Sequence, residues 1–258
     1  WSSDVCSSDL VAFFIFMYQK FHILRLKKQD WILKPKFVFE HLKIGIPMGF
    51  QISILTFGKI ILQFVLNKFG TNAISAFTVG MRIDQIFFQI YLAFGVTMAN
   101  FTAQNFGAKK ISRIKEGVKI TMATICTITV FAILILTFFS ENIVSVFMDE
   151  VNLEILTMAV QYLHTIMFFL FFLGTLLIYR NVLQGIGSVG APVLSGVIEL
   201  FVRGASAFVL AENFGYEGLC FATPLAWLMG AVVLFSGYKM NLVINFKKRR
   251  KEQQCLEK

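Results

Sequence analysis

The chain holds 258 residues, of which 57% are hydrophobic and only 15% charged, with a formal net charge of +9 and a mean hydropathy of +0.71. A soluble domain carries about 25% charged residues, which argues against a single large soluble α domain, and the 30 Phe suit lipid-facing helix surfaces. The positive charge does not mark a nucleic-acid site, because it clusters at Lys20–Lys43, Lys109–Lys119 and Lys239–Lys258, between apolar stretches.

The chain opens on Trp1, and Ser-Ser-Asp occurs twice within Trp1–Leu10. Residues 1–9 read as a non-native scar, to be set aside from fold reasoning. Leu10–Tyr18 is apolar but shorter than the roughly 17 residues a span needs, so residues 10–19 read as the end of a truncated transmembrane helix. A basic loop occupies 20–41. Six apolar stretches follow, each near the length that crosses a bilayer: Leu42–Leu66, Ile74–Ala103, Gly117–Phe139, Ile155–Tyr179, Ala191–Ala211 and Leu219–Val243. The expected fold is therefore all-α and polytopic, a six-helix unit over 42–243 with a basic tail over 244–258. Connections on one side hold Lys68 as their base, against Glu141, Asp149, Glu150, Glu154, Glu212 and Glu217. That asymmetry is the positive-inside pattern. It places the 20–41 loop and the tail in the cytoplasm, where Lys247–Lys251 meets anionic headgroups.

Within the first span, Thr56, Lys59, Gln63 and Asn67 recur at helical spacing and share one face. Pro47 lies near its entrance, where a proline loses no intrahelical donor. In the second span Thr78, Arg82, Gln85 and Gln89 form a polar stripe that Asn100 continues. Arg82 and Asp84 are two residues apart and point in different directions, so each needs a partner elsewhere. The third span reads as scaffold, and Glu141–Glu150 as an interfacial turn of helix outside it. The fourth is dense in Phe and closes at Arg180-Asn181, with Arg180 as a headgroup anchor. Gly185, Gly187 and Gly190 mark a tight turn or a hinge. Glu199 and Arg203 in the fifth span are four apart with the acid first, the order of a same-face ion pair. Pro224 and Trp227 open the sixth at an interface.

A bilayer tolerates a charge only where protein or water surrounds it. Lys59, Arg82, Asp84, Glu199 and Arg203 are thus candidate transport or coupling residues. Counted from the outer helix ends, they lie roughly 12 to 18 Å deep, in one layer where three bases meet two acids. Lys59 either snorkels outward or serves as a cavity countercharge. Gln51, Gln63, Gln85 and Gln89 are candidate cavity contacts. Four cysteines and three histidines lie far apart and form no metal or redox spacing; His164 reads as a packed polar residue. No nucleophile–base set is visible, so neither an enzyme nor a resident cofactor is expected.

Several ordered motifs resemble the multidrug and toxic compound extrusion (MATE) family. They are Gly45-Ile46-Pro47-Met48-Gly49-Phe50-Gln51, Ala76-Phe77-Thr78, Arg82-Ile83-Asp84-Gln85, Ala103-Gln104-Asn105-Phe106-Gly107-Ala108, Arg180-Asn181-Val182-Leu183-Gln184-Gly185-Ile186-Gly187 and Ser195-Gly196-Val197-Ile198-Glu199-Leu200 with Arg203. The resemblance implies the C-terminal lobe of a twelve-helix antiporter with two six-helix lobes around a cleft, the partner lobe being absent. It implies export of organic cations and amphipathic compounds in exchange for sodium ions or protons, across a bacterial cytoplasmic membrane. Some members carry coupling carboxylates in the first and fourth helices of this lobe. Here the first has Lys59 and the fourth no interior acid, so the coupling ion is expected mainly in the missing lobe. Within this chain, Asp84 and Glu199 remain the ion- or proton-sensitive candidates. A lipid-linked oligosaccharide flippase of related fold and a non-transporting fragment are the alternatives.

Overall fold

The computed structural model describes residues 3–21, 35–148 and 152–256. Much of the expected 20–41 loop, the acids Asp149 and Glu150, and the side chains of the basic tail lie outside the described residues. The chain forms two compact units, Trp1–Gly45 and Ile46–Lys258. In the first, the described residues from Ser3 onward, including the second Ser-Ser-Asp, share one continuous helix with the apolar stretch after them, α1 (Ser3–Lys20). Phe16 and Phe21 meet edge to face at its end, with ring centroids 6.4 Å apart.

The remaining elements are α2 (Pro35–Leu66), α3 (Gly70–Gly107), α4 (Ile111–Val146), α5 (Leu153–Met167), α6 (Leu170–Gly185), α7 (Gly190–Cys220) and α8 (Ala222–Leu256). Among the described residues, the stretches long and apolar enough to cross a membrane are Pro35–Gly107, Ile111–Val146 and Gly190–Cys220, with the bent pair α5–α6 as a fourth. Pro35–Gly107 is a hairpin of two helices. A 3₁₀ turn at Asn67–Phe69 and a left-handed Gly70 (φ 85°) separate α2 from α3. Ile52 and Phe88 line the same cavity, whereas a straight helix would set them about 54 Å apart. α8 is apolar over its first half and stays helical through the tail.

Four expectations change at the level of elements. α2 begins at Pro35, so Pro47 is interior to it; spanning helices tolerate such a proline where neighbouring groups satisfy the freed carbonyl. The basic stretch Lys109–Lys119 is a short turn followed by the first turns of α4, with Lys109 in the left-handed region (φ 58°). Glu141–Val146 is the end of the same helix and no separate interfacial turn. The reason is length: 36 residues rise about 54 Å, well beyond the roughly 30 Å hydrocarbon core, so both ends can carry charge. Fourth, the span expected at Ile155–Tyr179 is broken at Phe168–Phe169, where α5 and α6 meet at 54°.

No proline or glycine causes that break. The backbone tightens there into three-residue bonds, from Phe169 N–H to Ile166 O at 2.8 Å and from Phe172 N–H to Phe169 O at 2.9 Å, which keep its polar groups satisfied. Phe169 packs edge to face on Phe221, at 6.3 Å between centroids. Asn152 caps the start of α5 by accepting from Glu154 N–H at 2.9 Å.

α6 is the central post, buried at Leu170, Leu173, Leu176, Leu177, Ile178, Val182 and Leu183 and packed on α3, α4 and α8. Lipid supplies no hydrophobic drive between helices, so close packing and buried hydrogen bonds hold them. Gly185 shows this: a Cβ there would stand 2.6 Å from Ala99 O of α3. Tyr91 and Thr129 share a buried hydrogen bond of 2.8 Å between α3 and α4. The outer faces keep Phe131, Phe138 and Phe201 exposed, as lipid-facing surfaces require.

Candidate functional site

A cavity of about 340 Å³ opens among α2, α3, α5, α6, α7 and α8. Helical spacing carries Thr56, Lys59 and Gln63 of α2 to it together, and Asp84 and Gln85 enter from α3. α6 supplies Arg180, α7 supplies Glu199 and Arg203, and α8 supplies Thr223 and Trp227. Phe77, Phe88, Leu62, Leu173 and Leu176 give it an apolar wall.

Its back is an ion pair. Arg180 donates through Nη2 to Glu199 Oε1, and Ser195, one turn before Glu199, donates to the same oxygen at 2.6 Å. Glu199 is 2% exposed and Arg180 9%. Two sequence expectations are corrected here. Arg180 is no headgroup anchor, because its guanidinium turns into the bundle. Glu199 does not pair with Arg203: among the described residues no hydrogen bond or ion pair joins them. Helical side chains lean toward the N-terminus of their helix. Glu199 therefore leans back toward Ser195, where the fork of Arg180 on α6 reaches it. Glycine makes room for the carboxylate, since a Cβ on Gly230 of α8 would stand 2.7 Å from Glu199 Oε1.

Arg203 packs against α2. Its Nη1 rests 3.2 Å from where a Cβ on Gly58 of α2 would be, and its buried Nε has no hydrogen-bond partner. Asp84 Oδ1 is likewise buried without a partner; the charges acting on this carboxylate are Lys59 and Arg203.

The structure thus brings Lys59, Asp84, Glu199 and Arg203 to one cavity with Gln63 and Gln85. Arg82 and Gln89 are exposed on another face of α3 and do not line it. Gln51 is buried against α7, its Cγ 3.2 Å from a Cβ position on Gly196, and it accepts from Gln184 at 3.4 Å. Sequence reasoning missed Arg180 and Tyr162 as lining residues. Arg180 sits at the end of an apolar run, which by itself looks like a membrane boundary. Gly187 adopts φ 76° in the connection after α6, the geometry of a tight turn. His164 shares a hydrogen bond of 3.1 Å with Ser140. Among the described residues, no group of His, Cys, Asp and Glu is placed to hold a metal ion.

A family model described as MatE matches residues 47–209, which covers the hairpin, the broken span and the Glu199–Arg203 helix. The chain belongs to the MatE family. This MatE chain is similar to the structure of MATE in the bent conformation, at 16% identity over 92% of this chain and 53% of that one, with a TM-score of 0.82. It is similar to MATE in complex with MaL6, at 17% identity over 92% and 55%, with a TM-score of 0.79. A third likeness is to a MOP superfamily transporter from Pyrococcus furiosus, described by the reverse polarity of its binding pocket, at 18% identity over 76% and 43%, with a TM-score of 0.64. No curated protein matches the chain. These likenesses establish the fold, that of a multi-pass membrane protein, and the MatE chain spans about half the length of the solved structures.

Proposed function

We propose that this chain is the C-terminal lobe of a secondary efflux transporter, exchanging organic cations or amphipathic compounds for sodium ions or protons by alternating access. The observation that carries this reading is the cavity itself. Unpaired Lys59, Asp84 and Arg203 share it with aromatic and aliphatic walls, and a bilayer accommodates such charges where water or a ligand reaches them. The membrane is the bacterial cytoplasmic one, with the basic turn before α4 and the tail on the cytoplasmic side. The partners are small amphipathic substrates, the bilayer and a second lobe that holds the main coupling site.

Alternating access requires that ion or substrate bind the outward- and inward-facing packings with different affinity. Asp84 is the acid of this lobe best placed to couple, because no neighbour satisfies its Oδ1. Glu199 is committed to Arg180. A flippase for lipid-linked oligosaccharides is the second reading, favoured by the surplus of bases and disfavoured by a cavity of about 340 Å³. Proteoliposomes holding the protein test the proposal. Flux of a fluorescent amphipath driven by an imposed sodium or proton gradient is expected, and Asp84→Asn should weaken its dependence on that gradient. Absence of gradient-driven flux in the complete protein removes the transporter reading.

A further inference from the structure

Among the described residues, the charges lining the cavity do not balance. Arg180 and Glu199 neutralise each other, with Ser195 completing the acid's hydrogen bonds. Lys59, Arg203 and Asp84 remain, two positive charges against one negative, and no hydrogen bond or ion pair among the described residues holds any of the three. Arg203 is only 5% exposed, yet its Nε has no acceptor. Nη1 lies beside Gly58, and Arg203 lines the cavity with no acceptor among the described residues to meet its charge. Lys59 follows Gly58 in α2 and lines the same cavity.

We propose that the Lys59–Arg203 corner is an oxyanion subsite, which takes the single carboxylate or sulfonate of a small amphipathic anion whose apolar body lies against Phe77, Phe88 and Trp227. One anionic charge brings the corner to neutrality, whereas an organic cation raises the surplus. Buried charge without a partner is strongly unfavourable, so the free donors favour an occupant that supplies acceptors. Arginine's planar fork suits an oxyanion better than a point charge does. The volume of about 340 Å³ is at the small end of ligand pockets, which run from about 300 to 1,000 Å³. The subsite deepens the transporter reading and rests on it for its biological use, although binding itself needs no transport.

The test is calorimetric titration of the protein in phosphatidylcholine nanodiscs with three probes of one shape: 1-naphthaleneacetate, its neutral amide and the cationic 1-naphthaleneethylamine. The carboxylate is expected to bind about tenfold or more tightly than the amide, the scale of a hydrogen bond to a charged group, and the ammonium most weakly. Arg203→Gln and Lys59→Gln should each remove most of that preference. Arg82→Gln removes an equal charge outside the cavity and should leave it intact. Lys59 is exposed at the cavity, so its variant gives a result even where Arg203→Gln fails to fold. Phosphatidylglycerol in the nanodisc separates the sources: competition through Lys59 identifies a lipid headgroup as the oxyanion, and its absence a soluble anion. Equal or tighter ammonium binding, or a carboxylate preference unmoved by Lys59→Gln, overturns the subsite. Gradient-driven cation flux without carboxylate binding sinks the subsite and spares the transporter, while carboxylate binding without flux does the reverse.

Discussion

A guanidinium buried among spanning helices needs an acceptor beside it, and Arg180 finds one on the neighbouring helix. Its pair with Glu199 is of the kind whose desolvation can cancel its attraction, so its presence is weak evidence of stability. Breaking it is another matter. Arg180→Met leaves a buried carboxylate without its base and should destabilise the protein by about 3 to 5 kcal/mol, read as a lower unfolding midpoint in detergent. Replacing Glu199 by Leu in the same chain should recover most of that loss, because both charges then leave together. Gly230→Ala should cost about 1 to 3 kcal/mol by overpacking, since its Cβ would stand 2.7 Å from both Glu199 Oε1 and Leu176 Cδ1. Thermal melts of the two single variants, compared with the double, check both statements. Sequence reading found Glu199 in the spans but set Arg180 at a membrane edge, and so could not pair them. Glu199 and Arg203 satisfy a spacing rule, and side-chain direction with a neighbouring helix overrode it.

Helix ends and breaks carry the next set of consequences. α4 is long enough for both ends to leave the hydrocarbon. In a background lacking Cys6, Cys126, Cys220 and Cys255, cysteines at Arg113 and Asn142 should react with a membrane-impermeant thiol reagent, each from its own side. One at the lipid-facing Val130 should stay protected, and equal labelling at Val130 would show that α4 does not span. Within α7, Gly215 interrupts the helix at φ 65° and ψ −143°, a region essentially reserved for glycine. Gly215→Ala should destabilise by about 1 to 3 kcal/mol, measured as the shift in denaturant midpoint. The long apolar runs and the Gly-rich turn after α6 were legible in the sequence, because hydropathy and turn chemistry are local. The break at Phe168–Phe169 was not. It has no proline or glycine to announce it, and it follows from how phenylalanine rings on α6 and near the start of α8 pack.

For the whole molecule, the first consequence is partition. The chain should stay with membranes through alkaline carbonate extraction, and recovery as a detergent-free monomer in water would refute the spanning arrangement. The polar stripes of α2 and α3 behave differently from each other at this scale. Thr56, Lys59 and Gln63 of the α2 stripe and Gln85 reach the cavity, while Asn67 lies in the turn after α2 and Arg82 and Gln89 stay exposed outside the cavity lining. The amino-acid sequence by itself determined that this is an all-α membrane protein, roughly where its apolar runs lie, and that Lys59, Asp84, Glu199 and Arg203 are carried within them. Those properties sum along the chain, and bilayer thickness converts them into lengths. Only the tertiary structure decided that Arg180 takes Glu199, that Arg203 packs beside Gly58, and that Asp84 and Lys59 share a cavity without partners. Those meetings depend on how each helix is rotated and how closely it approaches its neighbours, and spacing within one helix does not encode either.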